Sequence, residues 1–312
     1  MNIFSPLPEF VMFRCCLFIA ILLNLTNADS KAEFPNVAPP TAELVASFQL
    51  DTFYTKHVSV KGFPVLGSAK VSDVALQEAA YLIDQMLGGR EDIYVALIDS
   101  KTRFAIMAPD EFTTEIPEHS DLTPKTFWDR RARGLGATPA RPAVSCGEEN
   151  LLCLRGDPYH EENILVHEFA HAIHDMGLAR IDGKFDDRLQ AIYDQAIQEG
   201  LWNGKYAANN HHEYWAEGVQ SYFGTNRLPD HDHNHVDTRD KLKEYDPRLF
   251  ALIDEVFRGN PWQYTRPEHR RELPHLRGWD AEDLSSFSWP EHLLREGAKQ
   301  KRDREQAAIE NE

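Results

Sequence analysis

Cysteine is scarce in this chain, with four in 312 residues. Cys15 and Cys16 fall in the apolar N-terminal stretch, which leaves Cys146 and Cys153 for the folded part. That excludes a scaffold held by many disulfides. One pair so spaced does not match a zinc knuckle either. Basic side chains are also in deficit: 33 Lys and Arg against 50 Asp and Glu give a formal net charge of −17. Such a balance argues against nucleic acid and against anionic membranes as partners. No G-x-S-x-G occurs, which excludes the nucleophile-elbow hydrolases, and no other serine or cysteine nucleophile arrangement stands out. There is no internal repeat. The strongly apolar run Val11 to Leu25 is short for a membrane span. Arg14 near its start and the small residues Thr26 and Ala28 behind it give the pattern of a secretory signal, residues 1–28, cut after Ala28. Met12 is an alternative start, and an uncleaved anchor is the competing reading. The sequon Asn24-Leu25-Thr26 lies inside that segment. The expectation is a secreted protein, free of the membrane after cleavage. In that oxidising setting Cys146 and Cys153 are expected to pair and close a short loop.

What is present suits a globular fold: 42% hydrophobic and 27% charged residues, with length for one large domain or two modest ones. Residues 29–42 hold Pro35, Pro39 and Pro40 and read as a linker or short pro-segment. Residues 43–295 are expected to form one domain, and 296–312 a charged, disordered tail. Val71 to Leu87 has apolar residues at helical spacing and ends at Gly88-Gly89. Ile93 to Ile98 and Phe104 to Ala108 are short apolar runs that predict a β-hairpin. Thr138 to Ser145 predicts an edge strand, weakened by Pro139 and Pro142. Helices are predicted from the cap Asn163 to the terminator Gly177, over Asp187 to Glu199 with a stop at Gly200, over Asn210 to Phe223, and from Asp246-Pro247 to Phe257. The expected fold class is α+β, with a small sheet in the N-terminal half and helices in the C-terminal half.

The most informative segment is His167-Glu168-Phe169-Ala170-His171. On a helix, positions i and i+4 share a face, so both imidazoles can grip one metal ion. Glu168 then stands beside that ion, where a carboxylate can accept a proton from water. This is the H-E-x-x-H pattern of zinc peptidases. A third protein ligand is needed, with one position left open. A metzincin would continue with Gly and then His at the positions here held by His174 and Gly177, the reverse order. The better candidate is Glu213-Tyr214-Trp215-Ala216-Glu217. There Glu213 can ligate, and Glu217, one turn on, can accept a hydrogen bond from the far nitrogen of a ligand histidine. His211 and His212 adjoin Glu213 and are alternative ligands. His231, His233 and His235 read either as a second metal site or as an exposed polar loop.

The two motifs together resemble the lethal-factor-like gluzincins, a group that includes the catalytic domain of anthrax lethal factor and the bacterial Pro-Pro endopeptidases. Members carry an H-E-F-x-H helix followed by an E-[FY]-[FW]-A-E helix. The resemblance covers about residues 160–224. It implies a zincin-like fold and one zinc ion per chain held by His167, His171 and Glu213. It also implies Glu168 as general base, Glu217 as partner of a ligand, and Tyr206, seven residues before Glu213, as stabiliser of the oxyanion. The implied protein is a zinc metalloendopeptidase acting on peptide or protein substrates. A non-catalytic extracellular binding protein with structural zinc is the alternative. A fourth protein ligand drawn from His174, His211 or His212 would favour it.

Overall fold

The computed structural model describes residues 36–310, together with Met1. The expected signal segment and the first part of the expected linker lie outside the described residues. Residues 36–310 fall in one compact unit. The chain opens with α1 (Ala42–Phe48), capped by the Thr41 hydroxyl, which accepts from Leu44 N. The predicted linker to residue 42 therefore ends in a helix start. A hairpin follows, β1 (Lys56–Val60) and β2 (Phe63–Gly67). Its two-residue turn, Lys61-Gly62, has positive φ at both positions, the geometry that matches strand twist.

After the hairpin, α2 (Asp73–Leu87) and α3 (Glu91–Asp99) carry the chain across to β3 (Arg103–Met107). Next come α4 (Lys125–Arg131), the short β4 (Gly134–Leu135), β5 (Ala143–Gly147) and α5 (Glu148–Leu151). The five strands form one sheet in the order β1-β2-β3-β5-β4. β2, β3 and β5 run parallel, with Leu66 opposite Ala105 and Ala105 opposite Ser145. The edge strand β4 runs antiparallel to β5, with Leu135 opposite Ser145. Side chains alternate across the sheet as the pleat requires. Val65, Phe104, Ile106 and Cys146 join the main core with α2, while Leu66, Ala105 and Met107 pack on the other face with Phe48, Leu50 and Ile116.

The rest is helical. α6 (Ile164–Ala172) passes without a break through a π-helical stretch (Ile173–Leu178) into α7 (Ala179–Ile181). α8 (Phe185–Gln198), α9 (His211–Phe223), α10 (Arg239–Tyr245), α11 (Pro247–Phe257) and α12 (Glu291–Glu310) follow. The molecule is thus α+β, with its sheet in the first half and helices in the second. Among the described residues, no helix is long and apolar enough to cross a membrane.

Several expectations need correction. Ile93 to Ile98 is not a hairpin strand but part of α3. Glu91 and Asp92 stand in its first turn, and Ile93, Tyr94, Ala96 and Leu97 are buried at helical spacing. The predicted edge strand at Thr138 to Ser145 starts later and is internal. Pro139 sits in a tight turn closed by Thr138 and Arg141, and β5 lies between β3 and β4 with all five residues buried. Gly177 does not end its helix. A Cβ there would stand 3.2 Å from Ile93 Cγ2, so the glycine lets the π-helical stretch approach α3. Of the tail expected to be disordered, residues 296–310 continue the helix α12. Its Lys, Arg, Glu, Gln and Ala residues favour helix, and Gln300 Nε2 donates to Phe127 O at 3.1 Å, which ties it to α4.

The structure shows no disulfide between Cys146 and Cys153. Cys146 and Cys153 are both free thiols. Cys146 faces the core from β5, whereas Cys153 lies past α5 in a left-handed conformation with its sulfur 3.8 Å from the Tyr264 hydroxyl. Burial pushes both thiols up, Cys153 to about 11, so both stay protonated at neutral pH.

Candidate metal centre

α6 lies under the sheet because its apolar side fits there. Phe169 packs on Phe63 and Phe104, with ring centroids 5.7 and 6.3 Å away. Asn163 caps it as the sequence predicts, its Oδ1 accepting from Val166 N at 3.1 Å. On its other side runs α9, which is held by the Trp215 indole N–H donating to Ala170 O at 2.9 Å. The cap of α9 is Asn210, whose Oδ1 accepts from Glu213 N at 2.9 Å and so fixes the residue bearing the third donor. Farther along, a Cβ at Gly218 would stand 2.6 Å from Leu249 Cδ2, so this glycine lets α11 close on the far side of α9.

These packings bring His167, His171 and Glu213 together. His167 Nε2 is 3.2 Å from Glu213 Oε2 and 3.2 Å from His171 Nε2, and His171 Nε2 is 3.3 Å from Glu213 Oε2. A tetrahedral zinc ion with bonds of about 2.0–2.1 Å has ligand-to-ligand edges of about 3.3 Å. The three atoms therefore stand as the corners of such a site. The far nitrogen of His167 meets Gln220 Oε1 at 2.9 Å. Gln220 Nε2 donates to the Glu162 carboxylate at 3.2 Å, so its oxygen must face the histidine. Nδ1 then carries the proton, and Nε2 is left with its lone pair toward the other two donors.

The electrostatics also favour a cation. Burial lowers the His167 pKa, but the bond to Glu213 and the charges of Glu168 and Glu217 raise it to about 10. Burial likewise opposes ionisation of Glu213, yet hydrogen bonds from His167 and His171 hold it well below the usual carboxylate range. Burial raises Glu168, which makes it a stronger base. Burial and the charge of Glu213 raise Tyr206, so its hydroxyl keeps its proton.

Glu168 and Tyr206 face one cleft of about 240 Å³, together with Arg131, Gly134, Arg227 and His233. Tyr206 Oη donates to Glu213 Oε1 at 3.2 Å. The open side of the site is bounded by the edge strand. A Cβ at Gly134 would stand 2.4 Å from Ile164 Cγ2 and 3.0 Å from Glu168 Cγ, and one at Gly136 would stand 2.8 Å from His171 Cβ. The chain can run this close over α6 only because both residues are glycine.

Sequence reasoning missed several of these residues. Glu217 is near His167 Nδ1, at 3.6 Å, but the bonded partner is Gln220. The signal was there, since 213, 217 and 220 share a helix face at i, i+4 and i+7. The Glu217 carboxylate is instead bonded by Asn226 Nδ2 at 3.0 Å and lies 3.5 Å from His233 Nε2. The histidine triplet divides: His233 is buried and its Nδ1 meets Asp230 at 2.9 Å, while His231 and His235 are exposed. Among the described residues the triplet forms no metal-ready group. His174, His211 and His212 do not join the first group but form one of their own. Burial lowers the His174 pKa to about 4.

No protein-family model matches this sequence, and comparison with curated proteins returns no match.

Proposed function

We propose that the chain is a zinc-dependent endopeptidase of the gluzincin type on a zincin-like fold, as the resemblance of its two motifs implies. One observation carries the reading. Two imidazole nitrogens and a carboxylate oxygen from two helices meet at tetrahedral-edge distances, with a base beside them on an open cleft. Three protein donors leave the fourth position free, which is the donor count of a catalytic rather than a structural zinc. A zinc ion held by His167, His171 and Glu213 would act as a Lewis acid toward water and a scissile carbonyl.

The chain's own groups would do the rest. Glu168, its basicity raised by burial, takes a proton from water and returns it to the departing amine. Tyr206 keeps its proton and donates to the carbonyl oxygen as negative charge builds there. Gln220 holds His167 in the tautomer that points Nε2 inward. β4, an antiparallel edge strand, offers an extended peptide a place to pair beside Glu168. The expected location remains outside the cell, and the substrate a peptide or protein.

The test is to incubate the protein with a diverse peptide mixture and read the products by mass spectrometry against Glu168→Ala. Internal cuts are expected with the wild type alone, at equal zinc content. His167→Ala is expected to lose cleavage together with the zinc equivalent held by His167, His171 and Glu213. A Glu168→Ala protein that cuts as fast as the wild type would overturn the mechanism.

A further inference from the structure

A second cluster of metal-binding side chains lies on the same helix pair. His174 leaves the π-helical stretch after α6, while His211 and His212 occupy the first turn of α9. Their ligand atoms lie within 4.8 Å of one another. α8 adds a carboxylate: Asp186 Oδ1 is 3.0 Å from His174 Nε2 and 2.9 Å from His211 Nε2. Two imidazoles thus converge on one carboxylate oxygen, as His167 and His171 converge on Glu213 Oε2.

The proton inventory is the second observation. If both Nε2 atoms carry protons for Asp186, His174 Nδ1 is left as a bare lone pair. That atom is buried without a hydrogen-bond donor, on a side chain only 1% exposed. Its nearest charged neighbour is another acceptor, Asp175 Oδ1, at 3.5 Å. Such an arrangement leaves a buried polar atom unsatisfied, at a cost. A cation bound at Nε2 removes the conflict. It replaces the two protons between the imidazoles and Asp186. The His174 proton then sits on Nδ1, 3.5 Å from Asp175 Oδ1, on the side where ligand histidines usually have carboxylate support. Asp175 already meets His212 Nδ1 at 3.2 Å. The wide π turn that carries His174 is a feature often found at functional sites.

We propose that His174, His211, His212 and Asp186 form a second site, for a first-row divalent transition-metal ion. Imidazole nitrogens with one carboxylate suit zinc, nickel, copper or cobalt better than magnesium or calcium. The ion would clamp α8 and the first turn of α9 to the π-helical stretch. Asp186, 58% exposed at its side chain, gives it a route from solvent. This inference does not depend on the proposed peptidase activity.

The test is to strip the full-length chain with chelator and titrate it with Co(II), following visible absorption and confirming the count by zinc content after reloading. The wild type is expected to take two equivalents. Asp186→Asn is expected to weaken one of them about ten-fold or more, in the range seen when a ligand or its support is lost. The double variant His211→Ala/His212→Ala is expected to take one equivalent. His171→Ala is expected to keep the equivalent that the double variant loses. His211 and Asp186 are not core residues, so far-UV circular dichroism should match the wild type. A wild type that saturates at one equivalent, with that equivalent intact in Asp186→Asn and in the double variant, overturns the second site. A wild type with one equivalent that survives in His171→Ala but not in the double variant supports it and overturns the first site instead.

Discussion

At the scale of single residues, Tyr206 and His119 show how one side chain can be tested apart from its fold. Tyr206 Oη touches only Glu213 among the proposed ligands. If the hydroxyl stabilises the oxyanion, Tyr206→Phe should lower kcat by about 100-fold or more with little change in KM. If it only steadies Glu213, zinc affinity falls and kcat recovers at saturating zinc. Steady-state kinetics across zinc concentrations separates these outcomes. His119 concerns stability. It is buried, with Nε2 3.2 Å from Ser145 Oγ, and burial pushes its pKa down to about 4. An unfolded histidine titrates near 6.5. Between those values the unfolded chain binds the extra proton, so stability is fully present above pH 6.5 and is lost as pH falls toward 4. The loss is about 3 kcal/mol for this group. Urea midpoints at pH 7.5 and 4.5 should therefore differ less in His119→Gln than in the wild type, and equal differences would refute the assignment.

At the scale of elements, the site depends on β4 lying against α6. Gly134→Ala places a methyl group against the Ile164 side chain and near Glu168 Cγ. Overpacking of this kind costs about 1–3 kcal/mol. The variant should unfold at lower urea and cut peptides more slowly, because the shift reaches the base. An alanine variant with wild-type stability and rate would show that the strand is free to move aside. The sequence announced α6 and α9 because caps, apolar spacing and ligand spacing agreed there. Asn163 caps as read, and Asn210, the first residue of the predicted helix, is the cap of α9. It did not announce β4, which is two residues long and is defined by its pairing with β5 rather than by any run of its own. α3 was misread because Ile93 to Ile98 is apolar throughout, and so short a run does not distinguish a strand from a buried helix. The polar partner His233 was obscure for another reason: its role comes from the loop that brings it to Glu217, and spacing alone does not give that, whereas Gln220 stands at i+7 from Glu213 on the same helix face.

At the scale of the whole molecule, the last part of the chain is joined to the first by polar contacts that no sequence period reveals. Glu78 on α2 is fully buried, and its carboxylate meets Arg270 Nη2 at 2.6 Å and His275 Nε2 at 2.8 Å. The partners lie nearly 200 positions away in a stretch of short turns with little apolar pattern. Arg270 also lies over the Tyr81 ring, 4.9 Å from its centroid, so it links the segment to α2 twice. Removing one member of such a pair leaves a buried charge uncompensated, and the cost is about 3–5 kcal/mol. Arg270→Met should therefore lower the urea midpoint strongly. Glu78→Gln combined with Arg270→Met should recover much of that loss, since the stranded carboxylate is gone. The metal groups lie on other elements, so zinc content measured below the new unfolding transition should stay at the wild-type value. A single variant with unchanged stability would mean that His275 satisfies the Glu78 carboxylate without Arg270.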